Sequence, residues 1–520
     1  MTGFLIQSPV EHYASATPYH PALSFQGQML SYQALDAKSN QLAHTLIANG
    51  ARPQDRVAIY LHKSLEMGIA IYGILKAGCV FVPIDPFMPV ERLSVIIQDC
   101  GIEHVLCSDV QAGNVSAAGK GSALTLYGVD QTPAQEAGVS WQTISEARAD
   151  RPPLSIIDQD LGYLMYTSGS TGTPKGMMHT HHGSISYARW GLQHVALTAD
   201  DRVASHAPLH FDLSIFDFFS TAQAGATVVL VPETVTRFPA SWTKTIESER
   251  ITVVFTVPYT LIAMLDKGAM EQRDLRSLRW ILYGGEAFPA GRLRQLMLAL
   301  DHVRFTNVYG PAEAPSCTCH DVELPEEGSD DPVPIGTFSQ NSSGIIVDSH
   351  DQDCENGEPG ELCIRSSTLT RGYWNRPELN SKAFLLRPGM THFSDVYYRT
   401  GDVVRRDANG LMYFLGRVDR MVKVRGQRVE LDEVESVLAS YPAVFEVAAI
   451  AVPDGTGSQI VVAAASSAEG EMLDEGELLR FARERLSSYA VPQKISIYAQ
   501  LPHNSSGKID RKLIATQWAD

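Results

Sequence analysis

Hydrophobic residues follow two periods that alternate along most of the chain. Short, nearly continuous apolar runs at 56–61, 79–83 and 253–257 are typical of buried strands. Between such runs lie segments with helical spacing, including 67–76 and 242–248. Strands that alternate with helices predict an α/β fold built on parallel sheets.

Three parts of the chain depart from this alternation. Residues 111–122 are rich in alanine, glycine and serine and predict a surface loop. Residues 335–415 carry short strand patterns separated by turn residues, which predicts an added β-rich subdomain. After Gly416 the pattern predicts a hairpin around Arg425-Gly426 and then a small α+β unit. We therefore expect a large N-terminal region of α/β subdomains with a β-rich subdomain at 1–415, and a small C-terminal α+β domain at 416–520.

Composition narrows the class of protein. The chain has 520 residues, of which 44% are hydrophobic and 19% charged, as expected for a globular protein with large cores. A formal net charge of −17 argues against a nucleic-acid partner and against a polybasic membrane surface. Seven scattered cysteines form no disulfide framework, so we expect a reducing, cytoplasmic location.

No targeting or membrane segment is predicted. The N-terminus lacks a basic region followed by a long apolar core, so we expect no signal peptide. The longest apolar stretch, 67–84, is interrupted by Lys76 and Pro83, and a buried helix leading into a strand explains it better than a membrane span.

The strongest local signal is the loop 166–176, which follows an apolar run. Its glycines would let backbone N–H groups approach an anion, its hydroxyls would donate to phosphate oxygens, and its lysine adds a positive charge. The common P-loop is excluded because no Gly-Lys-Ser/Thr closes the segment. A flexible surface linker is the alternative. The candidate ligands in this loop are Thr167, Ser168, Gly169, Ser170, Thr171 and Lys175.

A histidine cluster and a cysteine cluster each suggest a metal site. In both, further ligands are missing at the spacing that a metal site requires. His179, His181 and His182 have no cysteine or carboxylate at ligand spacing, so the end of a strand entering a helix is the better explanation. Cys317 and Cys319 lack a second pair, which argues against zinc.

Seven motifs follow one another along the chain: Leu75–Pro86, Tyr166–Gly176, Phe211–Ser214, Asn307–Glu313, Tyr398–Asp402, Gly416–Asp419 and Asn504–Lys508. In this order they resemble the adenylate-forming enzymes, and in particular the amino-acid adenylation domains of nonribosomal peptide synthetases. The resemblance covers almost the whole chain. The set of pocket residues given below resembles that of stand-alone proline-activating enzymes.

The resemblance implies a ligase that works in two half-reactions. A carboxylate attacks the α-phosphorus of ATP and releases pyrophosphate, and a phosphopantetheine thiol then attacks the acyl-adenylate. The resemblance also implies Mg²⁺ with Glu313 as its ligand, a suitable donor for a hard cation. The implied ATP ligands, beyond the phosphate loop, are Gly284, Gly285, Glu286, Asn307, Tyr309, Gly310, Asp402 and Arg417.

Two residues of the small domain carry the implied catalytic roles. Lys508 would contact the substrate carboxylate and the α-phosphate, and would stabilise charge in the transition state; a solvated surface lysine is the alternative. The family has one residue between Asn and Gly-Lys, whereas Ser505 and Ser506 both stand there in this chain. Asp419 matches the hinge about which the small domain rotates, and a salt-bridging aspartate is the alternative.

Asp212 indicates the substrate class. The family uses an aspartate here to pair with the α-ammonium of an amino acid, and a helix N-cap is the alternative. The implied pocket is small and mostly apolar, and we expect no second buried charge in it. Proline is the best match, followed by glycine, alanine or serine. The pocket residues are Asp212, Leu213, Phe216, Tyr259 (or Thr260), Leu282, Gly284, Val308, Ser316, Cys317 and Lys508.

No carrier-protein or condensation motif is present in the sequence, so we expect the enzyme to load a separate phosphopantetheinylated carrier protein. We also expect a monomer. Two alternatives stay open. An acyl-CoA ligase would need a cationic patch for CoA and has no need of Asp212. A non-catalytic nucleotide-binding regulator would not need Glu313, Asp402 and Lys508 together.

Overall fold

The computed structural model describes residues 3–130, 137–167, 174–329, 331–387, 395–455, 457–467, 472–503 and 509–518. Parallel strands covered by helices form most of it, and a small domain follows at the C-terminal end. Of the predicted site residues, Ser168, Gly169, Ser170, Thr171 and Lys508 lie outside the described residues.

The first part of the chain, residues 8–194, holds the first α/β subdomain together with two strands that join the sheet of the second, and it follows the alternation predicted from the sequence. Its elements are α1 (Ser8–Ala16), β1 (Pro21–Phe25), β2 (Gln28–Ser31), α2 (Tyr32–Ala48), β3 (Arg56–Tyr60), α3 (Leu65–Lys76), β4 (Val80–Pro83), α4 (Val90–Cys100), β5 (His104–Cys107), α5 (Asp109–Ala118), β6 (Thr125–Tyr127), β7 (Ala137–Val139), α6 (Trp141–Ser145), β8 (Leu161–Thr167), β9 (Lys175–Thr180) and α7 (His181–His194).

The second α/β subdomain continues in the same manner. Its elements are β10 (Arg202–Ser205), α8 (Leu213–Ile215), a π-helical turn (Phe216–Ser220), α9 (Thr221–Ala224), β11 (Thr227–Leu230), α10 (Glu233–Thr236), α11 (Pro239–Ser248), β12 (Val253–Thr256), α12 (Pro258–Lys267), a 3₁₀ turn (Met270–Gln272), β13 (Trp280–Gly284), α13 (Ala290–Ala299), β14 (Arg304–Tyr309), β15 (Thr318–Asp321) and β16 (Thr337–Phe338).

The β-rich subdomain and the small domain complete the described chain. Their elements are β17 (Ser342–Val347), β18 (Pro359–Ser366), α14 (Pro377–Ala383), β19 (Phe384–Leu386), β20 (Val396–Arg406), β21 (Met412–Arg417), β22 (Met421–Val424), β23 (Gln427–Glu430), α15 (Leu431–Ala439), β24 (Val444–Pro453), β25 (Gln459–Ser467), α16 (Glu475–Arg485), β26 (Ile495–Tyr498) and α17 (Arg511–Thr516).

Two large sheets organise the N-terminal region. One has the strand order β7-β6-β5-β3-β4-β8-β9 and the other β16-β15-β14-β13-β12-β10-β11-β1-β2. Strands β10, β11, β12, β13 and β14 are parallel, so their carboxyl ends share one edge of the sheet. The chain passes from β10 to β11 on one side and then returns to β12 on the other. Ligands bind at such a reversal of strand order in open α/β sheets.

The predicted fold class, with its large and small domains, is confirmed. The boundary at residues 415 and 416 stays a prediction; strand β21 runs through it to Arg417 and pairs with β20 of the β-rich subdomain. Beyond it, β22 and β23 form a separate two-stranded hairpin, and β24, β25 and β26 form a three-stranded sheet.

The loop predicted for residues 111–122 is wrong, because most of it belongs to helix α5. A capping box of Ser108 and Gln111 starts this helix. Ala112, Val115 and Ala118 recur at helical spacing and are buried. Small residues are common in loops, but here they let the helix pack closely against its neighbours.

The histidines of 179–182 lie where a strand passes into a helix, as predicted. Thr180 caps helix α7, its Oγ1 accepting a 3.1 Å hydrogen bond from Gly183 N. Within the described ranges no group of three metal-ligating side chains comes together. Likewise, no described helix combines the length and the apolar character that crossing a membrane requires.

Candidate active site

Asp212 lies in the segment that follows β10, at the reversal of strand order. It precedes α8 but does not cap it, because its side chain accepts no capping hydrogen bond and its backbone is helical. Burial raises the pKa of its carboxyl group, and Lys423 opposes this effect. The N-cap alternative is therefore not supported, and Asp212 is a partly buried carboxylate that faces a cation of the small domain.

Four predicted pocket residues pack into one hydrophobic core beside Asp212. Leu213, Phe216, Leu282 and Val308 are all at most 7% exposed and belong to the same cluster. Cys317 is fully buried but packs in a different cluster with Ile335 and Leu362. Four of the predicted apolar positions thus share one core, and Cys317 lies in a second core, with its thiol 3.4 Å from the carbonyl of Tyr309.

The remaining described pocket positions are Ser316, Gly284 and Tyr259, two with a constrained backbone and one with a cation against its ring. Ser316 is buried with φ of 53°, a left-handed conformation. Gly284 pairs with Val308, and a Cβ at Gly284 would clash with the Val308 carbonyl oxygen. The half-buried ring of Tyr259 has the guanidinium of Arg425 5.2 Å from its centroid. Gly284 is therefore required by strand packing, whatever it contributes to a ligand.

Glu313 is fully buried at the centre of a polar cluster. Its carboxylate accepts hydrogen bonds from Tyr373 Oη at 2.6 Å and from Arg428 Nη1 at 3.1 and 3.4 Å. The ammonium of Lys175 lies 4.8 Å from the centroid of the Tyr373 ring. Burial acts to raise the pKa of Glu313, but Arg428 and Lys175 outweigh it and lower the pKa to about 2. Glu313 is thus an ionised carboxylate.

Glu313 and the large-domain side chains beside it fit a magnesium ion bound mainly by phosphates. Mg²⁺ commonly takes one or two protein carboxylates and completes its shell with phosphate oxygens and water. Thr167 is the strand partner of Lys175, and its Oγ1 is buried without a hydrogen-bond partner in the part of the chain that the structure describes. An ionised carboxylate, a lysine that interacts with it and a spare hydroxyl form a donor set suited to a metal-bound polyphosphate.

A second polar cluster links a tyrosine, two acids and an arginine. Its members are Tyr309, Asp402, Arg417 and Asp419. Tyr309 Oη donates to Asp402 at 2.5 Å, and Arg417 binds the other oxygen of Asp402. Arg417 also binds Asp419 through two hydrogen bonds of 2.6 and 2.8 Å. Asp419 therefore makes the salt bridge of its alternative interpretation, and its role as a hinge stays a prediction.

Asn307 and Glu286 each have a structural partner. Asn307 Nδ2 donates to the carbonyl of Pro334 at 2.8 Å. Glu286 accepts from Gly426 N at 2.6 Å and from Ser458 Oγ at 3.1 Å, both in the small domain. Glu286 thus serves as a contact between domains in this arrangement.

The two predicted glycines next to these residues follow the ends of neighbouring strands. Gly285, with φ of 88°, comes directly after β13, and Gly310 comes directly after β14. A Cβ at Gly310 would lie 2.5 Å from Ser316 N. Both glycines are therefore required by the local backbone at the carboxyl edge of the sheet.

The hairpin β22–β23 of the small domain meets the large domain at this edge. Its turn places Gly426 against Glu286 and Val257, and its strands carry Lys423 and Arg428 to the buried acids. A buried ion pair between Arg92 and Glu433, at 2.5 Å, also joins the two domains. The small domain is therefore docked with this hairpin at the site.

The docked hairpin brings a second charge to Asp212. Lys423 is partly buried, burial lowers the pKa of its ammonium, and Asp212 is the strongest charge that opposes this effect. The expectation that the pocket has no second buried charge is thus wrong for this arrangement. The reason is that Lys423 is distant in sequence, so pocket motifs alone could not reveal it.

Two buried charged residues close to the pocket were not among the residues predicted from the sequence. Lys63 Nζ donates to the carbonyls of Ser205 and His206 at 2.5 and 2.8 Å. Asp217, in the π-helical turn, is fully buried. Burial raises the pKa of its carboxyl group, and the charge of Lys63 acts to lower it. The acidic residue within an otherwise apolar run was a usable signal, but only the fold brings Lys63 to it.

Similarity to known proteins extends over nearly the whole chain. The chain matches the AMP-binding enzyme family over residues 10–374 and the AMP-binding enzyme C-terminal domain over residues 433–508. It is 33% identical to an L-proline--[L-prolyl-carrier protein] ligase of Pseudomonas fluorescens over 515 residues, covering 99% of each chain. It is 34% identical to tyrocidine synthase 2 of Brevibacillus parabrevis over 505 residues, which cover 97% of this chain and 13% of that protein.

A solved structure shares the whole fold. The adenylation domain AlmE of Vibrio cholerae, in complex with glycyl-adenosine-5'-phosphate, superposes with a TM-score of 0.86 at 24% identity, covering 100% of this chain and 98% of that one. The sequence matches extend through both domains, and the region where the domains meet holds the residues described above. The chain belongs to the AMP-binding enzyme family.

Proposed function

We propose that the chain is an ATP-dependent, AMP-forming ligase that activates a small neutral amino acid and transfers it to the thiol of a separate carrier protein. The observation that carries this proposal is Asp212. Its carboxylate is partly buried at the reversal of strand order and caps no helix. A carboxylate kept at such a position at a cost in solvation is suited to an ammonium ligand.

The first half-reaction would form a bond between a carboxylate oxygen of the amino acid and the α-phosphorus of ATP, and would break the bond to pyrophosphate. Glu313 would hold Mg²⁺, and Lys175 and Thr167 would bind the pyrophosphate end. Asp402 would bind the ribose hydroxyls, with Tyr309 beside the base. The bound metal would supply charge neutralisation on the phosphates.

The second half-reaction would form a thioester as AMP leaves and the thiol gives up its proton. Rotation about Asp419 would exchange Lys508 for the hairpin β22–β23 at the cleft. The docked hairpin and the salt bridge between Arg417 and Asp419 support this proposal. The carrier-protein partner is proposed because the relative from Pseudomonas fluorescens is named as a carrier-protein ligase.

Proline is the proposed substrate. The walls formed by Leu213, Phe216, Leu282 and Val308 are apolar, and they suit a ring of methylene groups better than a charged side chain. The ammonium of proline, though secondary, can still pair with Asp212. The name of the relative from Pseudomonas fluorescens supports the same choice. Glycine, alanine and serine are the next candidates, because each also lacks a charged side chain.

The test is acid-dependent exchange of labelled pyrophosphate into ATP, measured for the full chain with each of the twenty amino acids and with small carboxylic acids that lack an amine. We expect exchange with proline above all others, and its loss in Lys508→Ala. Exchange driven only by acids without an amine would favour an acyl-CoA ligase. Nucleotide binding without exchange for any acid would favour a regulator. Loading of a phosphopantetheinylated carrier protein, followed by mass spectrometry, tests the second half-reaction separately.

A further inference from the structure

Arg428 binds the carboxylate of Glu313, which is the proposed ligand of the metal. It lies 3.1 Å from Glu313 Oε1 and 3.4 Å from Oε2, and Glu313 is 0% exposed. Tyr373 takes a further position on Oε1 at 2.6 Å. A guanidinium and a divalent cation cannot both sit against this enclosed carboxylate, because the two positive charges would be forced together without water between them.

Other charged residues around Glu313 bear on the competition between Arg428 and a divalent cation. Lys175 lies over the Tyr373 ring and also interacts with Glu313. Arg428 has a second acidic partner, Glu430, at 3.0 Å, which belongs to its own strand and travels with it. Glu313 is therefore the partner that Arg428 gains on docking and loses on undocking.

The hairpin fixes where Arg428 arrives. Gly426 has φ of 79°, and a Cβ there would clash with Val257 Cγ1, so the turn sits directly on the large domain. Its N–H is held by Glu286 at 2.6 Å. In the antiparallel register Arg428 pairs with Lys423, two positions from the turn. When the turn is docked, the short distance along the hairpin therefore places the guanidinium of Arg428 at Glu313.

We propose that Arg428 and the divalent cation bind Glu313 in alternation, so that the docked hairpin and the metal-bound site exclude each other. Arg428 then acts as a positioning residue that stabilises the docked domain after the metal has left with pyrophosphate. The inference rests on the proposed function for its metal. Because coupling between two ligands is reciprocal, removing Arg428 must tighten metal binding, and adding metal must release the hairpin.

The experiment measures metal binding and hairpin docking without measuring turnover. Mn²⁺ serves as a paramagnetic substitute for Mg²⁺ and is titrated by electron paramagnetic resonance in the presence of α,β-methylene-ATP. The full-length wild type is compared with Arg428→Gln and with Arg425→Gln. The control removes the same charge from the same hairpin, but Arg425 lies over the ring of Tyr259 and not against Glu313. Hydrogen exchange of the peptide spanning 421–430 reports docking.

We expect Arg428→Gln to bind Mn²⁺ about fivefold tighter or more than wild type, within the usual range of coupled sites, and Arg425→Gln to match wild type. In wild type, Mn²⁺ with the nucleotide should raise exchange in the hairpin above that with nucleotide alone. Equal or weaker Mn²⁺ binding by Arg428→Gln overturns the inference while leaving the proposed function intact. If wild type binds no Mn²⁺ with nucleotide, both fail. If Arg428→Gln does not fold, hydrogen exchange of the hairpin in wild type decides. The inference is then overturned if Mn²⁺ leaves that exchange unchanged.

Discussion

The hydroxyl of Tyr309 donates a 2.5 Å hydrogen bond to Asp402, whose other oxygen binds Arg417. A residue expected beneath the adenine is therefore also the group that orients the carboxylate expected at the ribose. The strand β14 ends at Tyr309 and the strand β20 contains Asp402, so one contact joins the large sheet to the β-rich subdomain. It follows that the two predicted nucleotide ligands form one unit.

Tyr309→Phe should weaken ATP binding without affecting the amino acid. A hydrogen bond to a charged group contributes about 1.5–3 kcal/mol, so we expect KM for ATP to rise about tenfold or more. KM for the amino acid should change less than about twofold, as measured by pyrophosphate exchange. Tyr413→Phe, on the neighbouring strand β21, serves as the control. Equal changes in both KM values would show that the hydroxyl has only a structural role.

Asp212→Ala should weaken amino-acid binding by about 3–5 kcal/mol, because the substrate ammonium would lose its partner in a partly dehydrated site. Isothermal titration with the amino acid that supports exchange measures this loss. Asp200→Ala, an exposed aspartate before strand β10, is the control. Unchanged affinity in Asp212→Ala would remove Asp212 from the substrate site.

Gly284→Ala should destabilise the large domain. The added Cβ would clash with the carbonyl oxygen of Val308, and such overpacking costs about 1–3 kcal/mol. Urea unfolding followed by circular dichroism measures the loss. Gly291→Ala is the matched control, because no atom lies within 4 Å of its Cβ position and it sits in helix α13. A control less stable than Gly284→Ala would contradict this account.

Lys63→Met should destabilise the same domain by about 3–5 kcal/mol. The change removes two hydrogen bonds to backbone carbonyls and leaves Asp217 buried without its opposing charge. The midpoint of urea unfolding measures the effect, with Lys267→Met, an exposed lysine at the end of α12, as the control. A midpoint like that of wild type would show that Asp217 is uncharged in the fold and needs no opposing charge.

The pH dependence of stability offers a separate test of Lys63. Burial lowers the pKa of its ammonium from 10.5 to about 8, with Asp217 and Glu233 opposing. Between these values the unfolded chain binds a proton that the folded chain does not. The contribution of Lys63 to stability therefore rises with pH in this window, by up to about 3 kcal/mol. Below the folded pKa the cost of burying the charge is fully present.

The unfolding of wild type and Lys63→Met is compared at several pH values between 8 and 10.5. Groups that titrate alike in both proteins cancel, so the difference reports Lys63 together with its neighbour Asp217. We expect the stability difference between the two proteins to grow in favour of wild type as pH rises. A difference that stays constant across the window would mean that Lys63 keeps its ordinary pKa in the fold.

Local rules predicted most elements correctly. Ser31 caps α2 with a hydrogen bond of 3.2 Å from Ala34 N, as its position before an apolar run predicts. The prediction for 111–122 was wrong because small residues suit both loops and tightly packed helices, and composition does not separate them. Packing in the fold, beside strand β5, is what gave α5 its buried face.

By itself the sequence determined the order of strands and helices, the family motifs and the acid at residue 212, because each depends on neighbours within a few residues. Only the tertiary structure decided which charges meet: Arg428 with Glu313, Lys423 near Asp212, and Lys63 near Asp217. The physical reason is range. Helical and strand periods act over a few positions, whereas a charge is paired by whatever the fold brings within about 4 Å of it in a dehydrated cleft.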